Sequence, residues 1–188
     1  MALTYVEASV FVAWALDFDP FHSRAEQIIR DIDSGKIAAI TSSLSVMEVV
    51  DSIRRRITER AQWVGDPASP RTNVKPVRDE IERVVTQFLD GLTALVLQDK
   101  IMWTDPISPM LDVFQDAVDV LLATSGGFGQ RFKELKTCYF YRGVGQYDVQ
   151  HALIAKSFGA TNFLSFDQGF SELGSLSDFS GIITFSVR

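Results

Sequence analysis

Apolar positions along the chain change period several times, and each change marks an element. Leu3 to Phe11 is a nearly continuous run of apolar and β-branched residues, the pattern of a buried strand. From Phe21 to Ile32 the apolar residues fall at helical spacing (Phe21, Ala25, Ile28, Ile29, Ile32), and Gly35 follows where a helix commonly closes. Ile37 to Ile40 reads as a short strand. Thr41, Ser42 and Ser43 offer hydroxyls to cap the next helix, which carries Val46, Met47, Val49, Val50 and Ile53. The prolines and glycine between Gly65 and Pro76 predict a loop. Val77 to Leu97 is helical by period, and Lys100 to Thr104 is strand-like.

Further on, Leu111 to Ala123 predicts a helix and Ser125 to Gly129 a glycine-rich connection. Val149 to Phe158 predicts a helix ended by Gly159, Asn162 to Phe166 a strand, Gln168 to Leu173 a short helix, and Ile182 to Val187 a last strand. Strands alternating with helices favour a parallel α/β sheet flanked by helices. In such sheets the polar site lies beyond the carboxyl ends of the strands. No internal repeat and no low-complexity tract interrupts the alternation.

Four acidic residues fall where that rule points: Glu7 in or at the end of the first strand, Glu48 early in a helix, Asp148 opening a helix, and Asp167 after a strand. Each has a plainer reading as well. Glu48 can complete a capping box with Ser45, and Asp148 and Asp167 can cap their own helices. Glu7 is harder to set aside, because an unpaired carboxylate among Leu3, Tyr5, Val6, Val10 and Phe11 costs several kcal/mol to bury. A metal or a basic partner would offset that cost.

The residues around these acids resemble the PIN domain, the nuclease fold of VapC-type toxins and several RNA-processing enzymes. Val6-Glu7-Ala8-Ser9-Val10 is similar to the opening motif, in which Ser or Asn follows the acid by two positions. Thr41 to Val50 matches the segment that delivers the second acid. Tyr147 to Ala155 with Gly159-Ala160 matches the third, and Leu164-Ser165-Phe166-Asp167-Gln168-Gly169-Phe170 the fourth, including the trailing Phe. The resemblance spans both ends of the chain and keeps the family order. It implies one domain over residues 1–188, a PIN-like three-layer sandwich with a central parallel sheet flanked by helices. Two departures stand out. The first acid is usually Asp, whereas this chain has Glu7. Glu48 and Asp148 lie 100 positions apart, so a family-atypical helical and basic insertion is expected around 54–104.

The resemblance further implies Mg²⁺ or Mn²⁺ as cofactor and RNA as substrate, cut to leave a 5′-phosphate. Glu7 and Asp148 would ligate metal directly, Glu48 and Asp167 would bind a second metal or its waters, and Ser9 and Ser165 would orient those ligands. Oxygen donors suit hard divalent ions. An antitoxin protein and a second copy of the chain are the partners this family suggests. The reading from another class is a PIN-like scaffold with weakened catalysis that serves as a binding module, which Glu7 keeps open. A phosphoacceptor signalling domain would need an acidic pair at the first strand end and a late lysine after a strand, and neither is visible.

Composition and charge adjust this picture. The chain has 188 residues and a net charge of −6, yet Arg54, Arg55, Arg56, Arg60, Arg71, Lys75 and Arg78 make a basic stripe in an acidic body. Arg54, Arg55 and Arg56 could grip RNA phosphates, form a solvated surface run, or dock an antitoxin. No apolar run reaches membrane-spanning length, Glu7 interrupts the apolar start, and the lone Cys138 suits a reducing cytoplasm. His22, His151 and one Cys are too few for a structural zinc site. His151, on the same helix face as Asp148, could act in catalysis, but reads more readily as a core histidine or one that supports a ligand. Asp51, three residues after Glu48, could be an outer-sphere acid but reads more commonly as a solvated helix residue, and Trp14, Trp63 and Trp103 read as core or interface.

Overall fold

The computed structural model describes residues 2–64, 74–104, 146–175 and 179–187. Five parallel strands form one sheet: β1 (Leu3–Val6), β2 (Ala38–Ser42), β3 (Ile101–Thr104), β4 (Asn162–Ser165) and β5 (Thr184–Val187), in the order β3-β2-β1-β4-β5. Register is set by pairs such as Tyr5 with Ile40, Val6 with Leu164, and Ser165 with Val187. The chain leaves β1 toward β2 and β3, then returns to the other side of β1 for β4. The strand order therefore reverses at β1, and a crevice opens at the carboxyl ends of β1 and β4.

The described helices are α1 (Ala8–Ala15), α2 (His22–Asp33), α3 (Ser43–Val64), α4 (Val74–Leu97), α5 (Gln146–Ser157) and the short α6 (Phe170–Leu173). They cover the sheet on both faces. Successive strand residues point to opposite sides, so Val6, Ala39 and Leu164 join one core with α1 to α4. Tyr5, Ile40 and Phe163 join the other with α5 and α6. This sorting by alternation makes a three-layer sandwich, and it explains why the three central strands are buried on both faces for nearly their whole length.

The expected strand over Leu3 to Phe11 is a correction. Extended chain stops at Val6, and α1 starts at Ala8 with Glu7 as its N-cap, because the Glu7 side chain accepts a hydrogen bond from the Ser9 amide. A run apolar on every side fits a buried strand and a buried helix equally well, so its pattern could not locate the break. Helix α4 begins at Val74, inside the stretch read as a loop. Pro76 sits in its first turn, where a missing N–H removes no helical bond. The helix expected over Leu111 to Ala123, the glycine-rich stretch Ser125 to Gly129, and Cys138 lie outside the described residues.

Gly35 and Gly159 end α2 and α5 with φ of 75° and 74°, in the left-handed region. Gly91 has a different reason to be glycine. In mid-α4 it would cost about 1 kcal/mol relative to Ala, but an added Cβ would lie 2.7 Å from the Trp14 indole. Glycine lets α4 approach α1 across that ring. Segment 54–104 supplies the second half of α3, all of α4 and the edge strand β3, and α3 packs against both α1 and α4.

Candidate active site: carboxylates at the sheet crevice

Glu7, Glu48, Asp148 and Asp167 come from four elements and line one cleft of about 570 Å³. Ser9, Asp51, Arg55 and Arg56 contribute to the same walls. β1 delivers Glu7 at its carboxyl end, β4 delivers Asp167 just past its own, and the first turns of α3 and α5 carry Glu48 and Asp148.

Glu7 is buried, yet its Oε2 is well supplied with donors. It accepts the Ser9 amide at 2.9 Å, the Ser9 hydroxyl at 2.5 Å and the Ser165 hydroxyl at 3.0 Å. Those hydroxyls are themselves held by backbone: Phe166 N–H donates to Ser9 Oγ and Asp167 N–H to Ser165 Oγ, both at 2.9 Å. Two serines thus relay the dipoles of the turn after β4 onto one carboxylate oxygen. Burial nevertheless pushes the Glu7 carboxyl above its ordinary range, outweighing the nearby His151 and the hydrogen bonds from Ser9 and Ser165, which pull it down.

Glu48 has a different support. His151 Nε2–H donates to Glu48 Oε2 at 2.7 Å, so Glu48 turns to α5 rather than completing a capping box with Ser45. A carboxylate only accepts, which assigns the proton to Nε2. In the neutral ring Nδ1 then accepts the Tyr5 hydroxyl at 2.7 Å. Ser42 and Ser45 hydroxyls lie 2.8 and 3.2 Å from the same Tyr5 oxygen and can donate to it. Tyr5, Ser42, Ser45 and His151 are all buried, and desolvation drives the phenol well above its usual pKa.

The remaining residues sort by partner. Asp167 is exposed, and one of its oxygens accepts Gly169 N–H at 2.8 Å, which closes the turn after β4; the N-cap of α6 is Gly169 with no side-chain cap, so Asp167 does not cap that helix as the sequence suggested. Asp51 pairs with Arg54 at 2.7 Å on the exposed face of α3. Arg56 pairs with the buried Asp19, and Arg60 lies 4.3 Å over the Phe18 ring. Both contacts tie the α1–α2 connection to α3. Trp14 packs on Phe88, and Trp103 is half exposed on β3.

Ligand atoms of Glu7, Glu48 and His151 all lie within 4.8 Å of one another. The donor set fits a hard divalent cation at its carboxylate oxygens, and the buried charge of Glu7 is what such an ion would neutralise. His151 already spends Nε2 on Glu48, so it suits the role of holding that carboxylate. Sequence reasoning missed Tyr5, whose ring passes for one more apolar strand residue. The available signal was that a buried tyrosine hydroxyl needs a partner.

No protein-family model and no curated protein matches the chain. Among solved structures it is similar to Mycobacterium tuberculosis VapC20, a sarcin–ricin loop cleaving toxin, at 16% identity and a TM-score of 0.52 over 92% of this chain and 96% of that one. The likeness is one of fold, and the chain has a PIN-like α/β fold.

Proposed function

We propose that this protein is a metal-dependent endoribonuclease of the toxin type, holding Mg²⁺ or Mn²⁺ through Glu7, Glu48, Asp148 and Asp167. The observation that carries this reading is the convergence of those four acids, far apart in the chain, on one cleft at the strand-order reversal. A bound divalent ion would offset the carboxylate repulsion, make a water more acidic and shield the phosphate under attack. The chain's own part is positioning. Ser9 and Ser165 fix one oxygen of Glu7, and Tyr5 through His151 fixes one oxygen of Glu48. The reaction is attack of water on phosphorus with loss of the 3′-oxygen, giving a 5′-phosphate. RNA is the substrate, a cytoplasmic antitoxin that occludes the cleft is the natural partner, and dimerisation follows the same analogy. Among the described residues no helix is long and apolar enough to cross a membrane.

Glu7 in place of the family's usual Asp, with burial raising its pKa, favours one competing reading, a scaffold in which no ion binds. The two part cleanly. Cleavage of single-stranded RNA and of a hairpin bearing the sarcin–ricin loop is measured with Mn²⁺ for wild type and Asp148→Asn, beside a calorimetric Mn²⁺ titration. A loss on the order of 10²- to 10³-fold in the variant is expected. Equal rates in both, or no saturable Mn²⁺ site in wild type, would sink the nuclease.

A further inference from the structure

An acidic cleft repels the polyanion it is meant to cut, so a cation must meet the RNA there. The arginine run on α3 is the obvious source, and its members are not equivalent. Arg54 is held by Asp51. Arg56 is held by Asp19, whose side chain is only 3% exposed and whose other oxygen accepts Phe21 N–H at 2.8 Å, so this pair secures the α1–α2 connection. Arg55 lines the cleft, is exposed, and among the described residues forms no ion pair or side-chain hydrogen bond.

Its place on α3 narrows the task. Glu48, Asp51, Ser52 and Arg55 follow one another at helical spacing along the cleft wall. Seven residues separate Glu48 from Arg55, about 10 Å of helix rise. That offset sets Arg55 about two helical turns from Glu48 on the same cleft wall, far enough to meet a different phosphate from the one at the carboxylates. We propose that Arg55 grips a backbone phosphate flanking the one that is cut, as a substrate-binding residue, while Arg54 stays paired with Asp51 on the exposed face of α3 and Arg56 secures the α1–α2 connection. The inference rests on the nuclease reading. A planar guanidinium with no competing carboxylate is suited to bidentate phosphate contact.

Binding to a flanking phosphate is made equally in ground and transition states, so it appears in KM and leaves kcat alone. The test is steady-state cleavage with Mn²⁺ of the same two RNAs by wild type, Arg55→Ala, Arg55→Lys and Arg54→Ala across a KCl series. For Arg55→Ala we expect KM to rise about tenfold with kcat nearly unchanged. The slope of log(kcat/KM) against log[KCl] should become shallower by about 0.7, one phosphate contact on a single strand. Arg55→Lys should restore the slope and part of KM, and Arg54→Ala should resemble wild type. An Arg55→Ala enzyme indistinguishable from Arg54→Ala overturns the assignment and leaves the nuclease standing. A fall in kcat instead of a rise in KM moves Arg55 to the scissile phosphate and also overturns it. Wild type without cleavage or a Mn²⁺ site removes the nuclease reading, and this inference with it.

Discussion

Glu7 and Glu48 face the same cleft, but the molecule holds them by opposite means. The β1–β4 side supports Glu7 with small hydroxyls wired to backbone N–H groups, within a few residues of the strand ends. The α3–α5 side supports Glu48 with the buried His151 imidazole and, behind it, the Tyr5 phenol that β1 contributes to the core on that face. On the first side, support and packing are separate: a serine can be changed with little loss of core. On the second they coincide, so damage to the support is damage to the fold. Ligand positioning and stability should therefore respond differently on the two sides.

The largest effect should come from Glu7→Gln. It removes a charged oxygen from the ligand set, and a calorimetric titration should lose the saturable Mn²⁺ site altogether. The same variant sharpens the electrostatics of the metal-free protein. A carboxyl whose folded pKa is raised contributes stability that is complete below its unfolded pKa and is lost as pH rises through the folded value. Metal-free wild type should accordingly melt at lower temperature as pH climbs from about 4.5, the ordinary glutamate value, through that raised value. Glu7→Gln should flatten that slope. A parallel pH dependence in both proteins would show that Glu7 is not its source.

Tyr5→Phe comes next. The ring volume is kept, while His151 Nδ1 and two buried serine hydroxyls lose their shared partner. Thermal or denaturant unfolding should show about 2 kcal/mol lost. A near-neutral result would break the claim that this side joins support to packing. Ser165→Ala should be milder in stability and act on the ion instead, weakening Mn²⁺ binding about tenfold by calorimetry. If Ser165→Ala proved as destabilising as Tyr5→Phe, the contrast between the two sides would be lost.

How far these features could be read from the residues follows the same division. Local signals were plain. The helical spacing from Phe21 to Ile32 with Gly35 behind it gave α2, and Asn162 to Asp167 gave β4 and its exit. The four acids were readable because the ends of parallel strands are the expected place for them. The break at Glu7 was not, since strand and helix share an all-apolar pattern and only the capping bond separates them. Nor was the Tyr5–His151 contact, which joins positions 146 apart and leaves no periodic trace. The arginine run was visible as charge, but its division into structural and unpaired members depends on Asp19, a residue that sequence alone gave no reason to choose.

The order of the acids along the chain has a consequence for biosynthesis. Glu7 and Glu48 emerge from the ribosome well before Asp148, His151 and Asp167, about 100 positions further on. Chains emerge from the N-terminus onward, so β1 and β2 can exist before α5 and β4 have been translated, with Glu7 lacking Ser165 and Glu48 lacking its imidazole. A half-made polypeptide thus carries only part of the constellation. The nuclease proposed above would lack its full set of acids until α5 and the turn after β4 have been made.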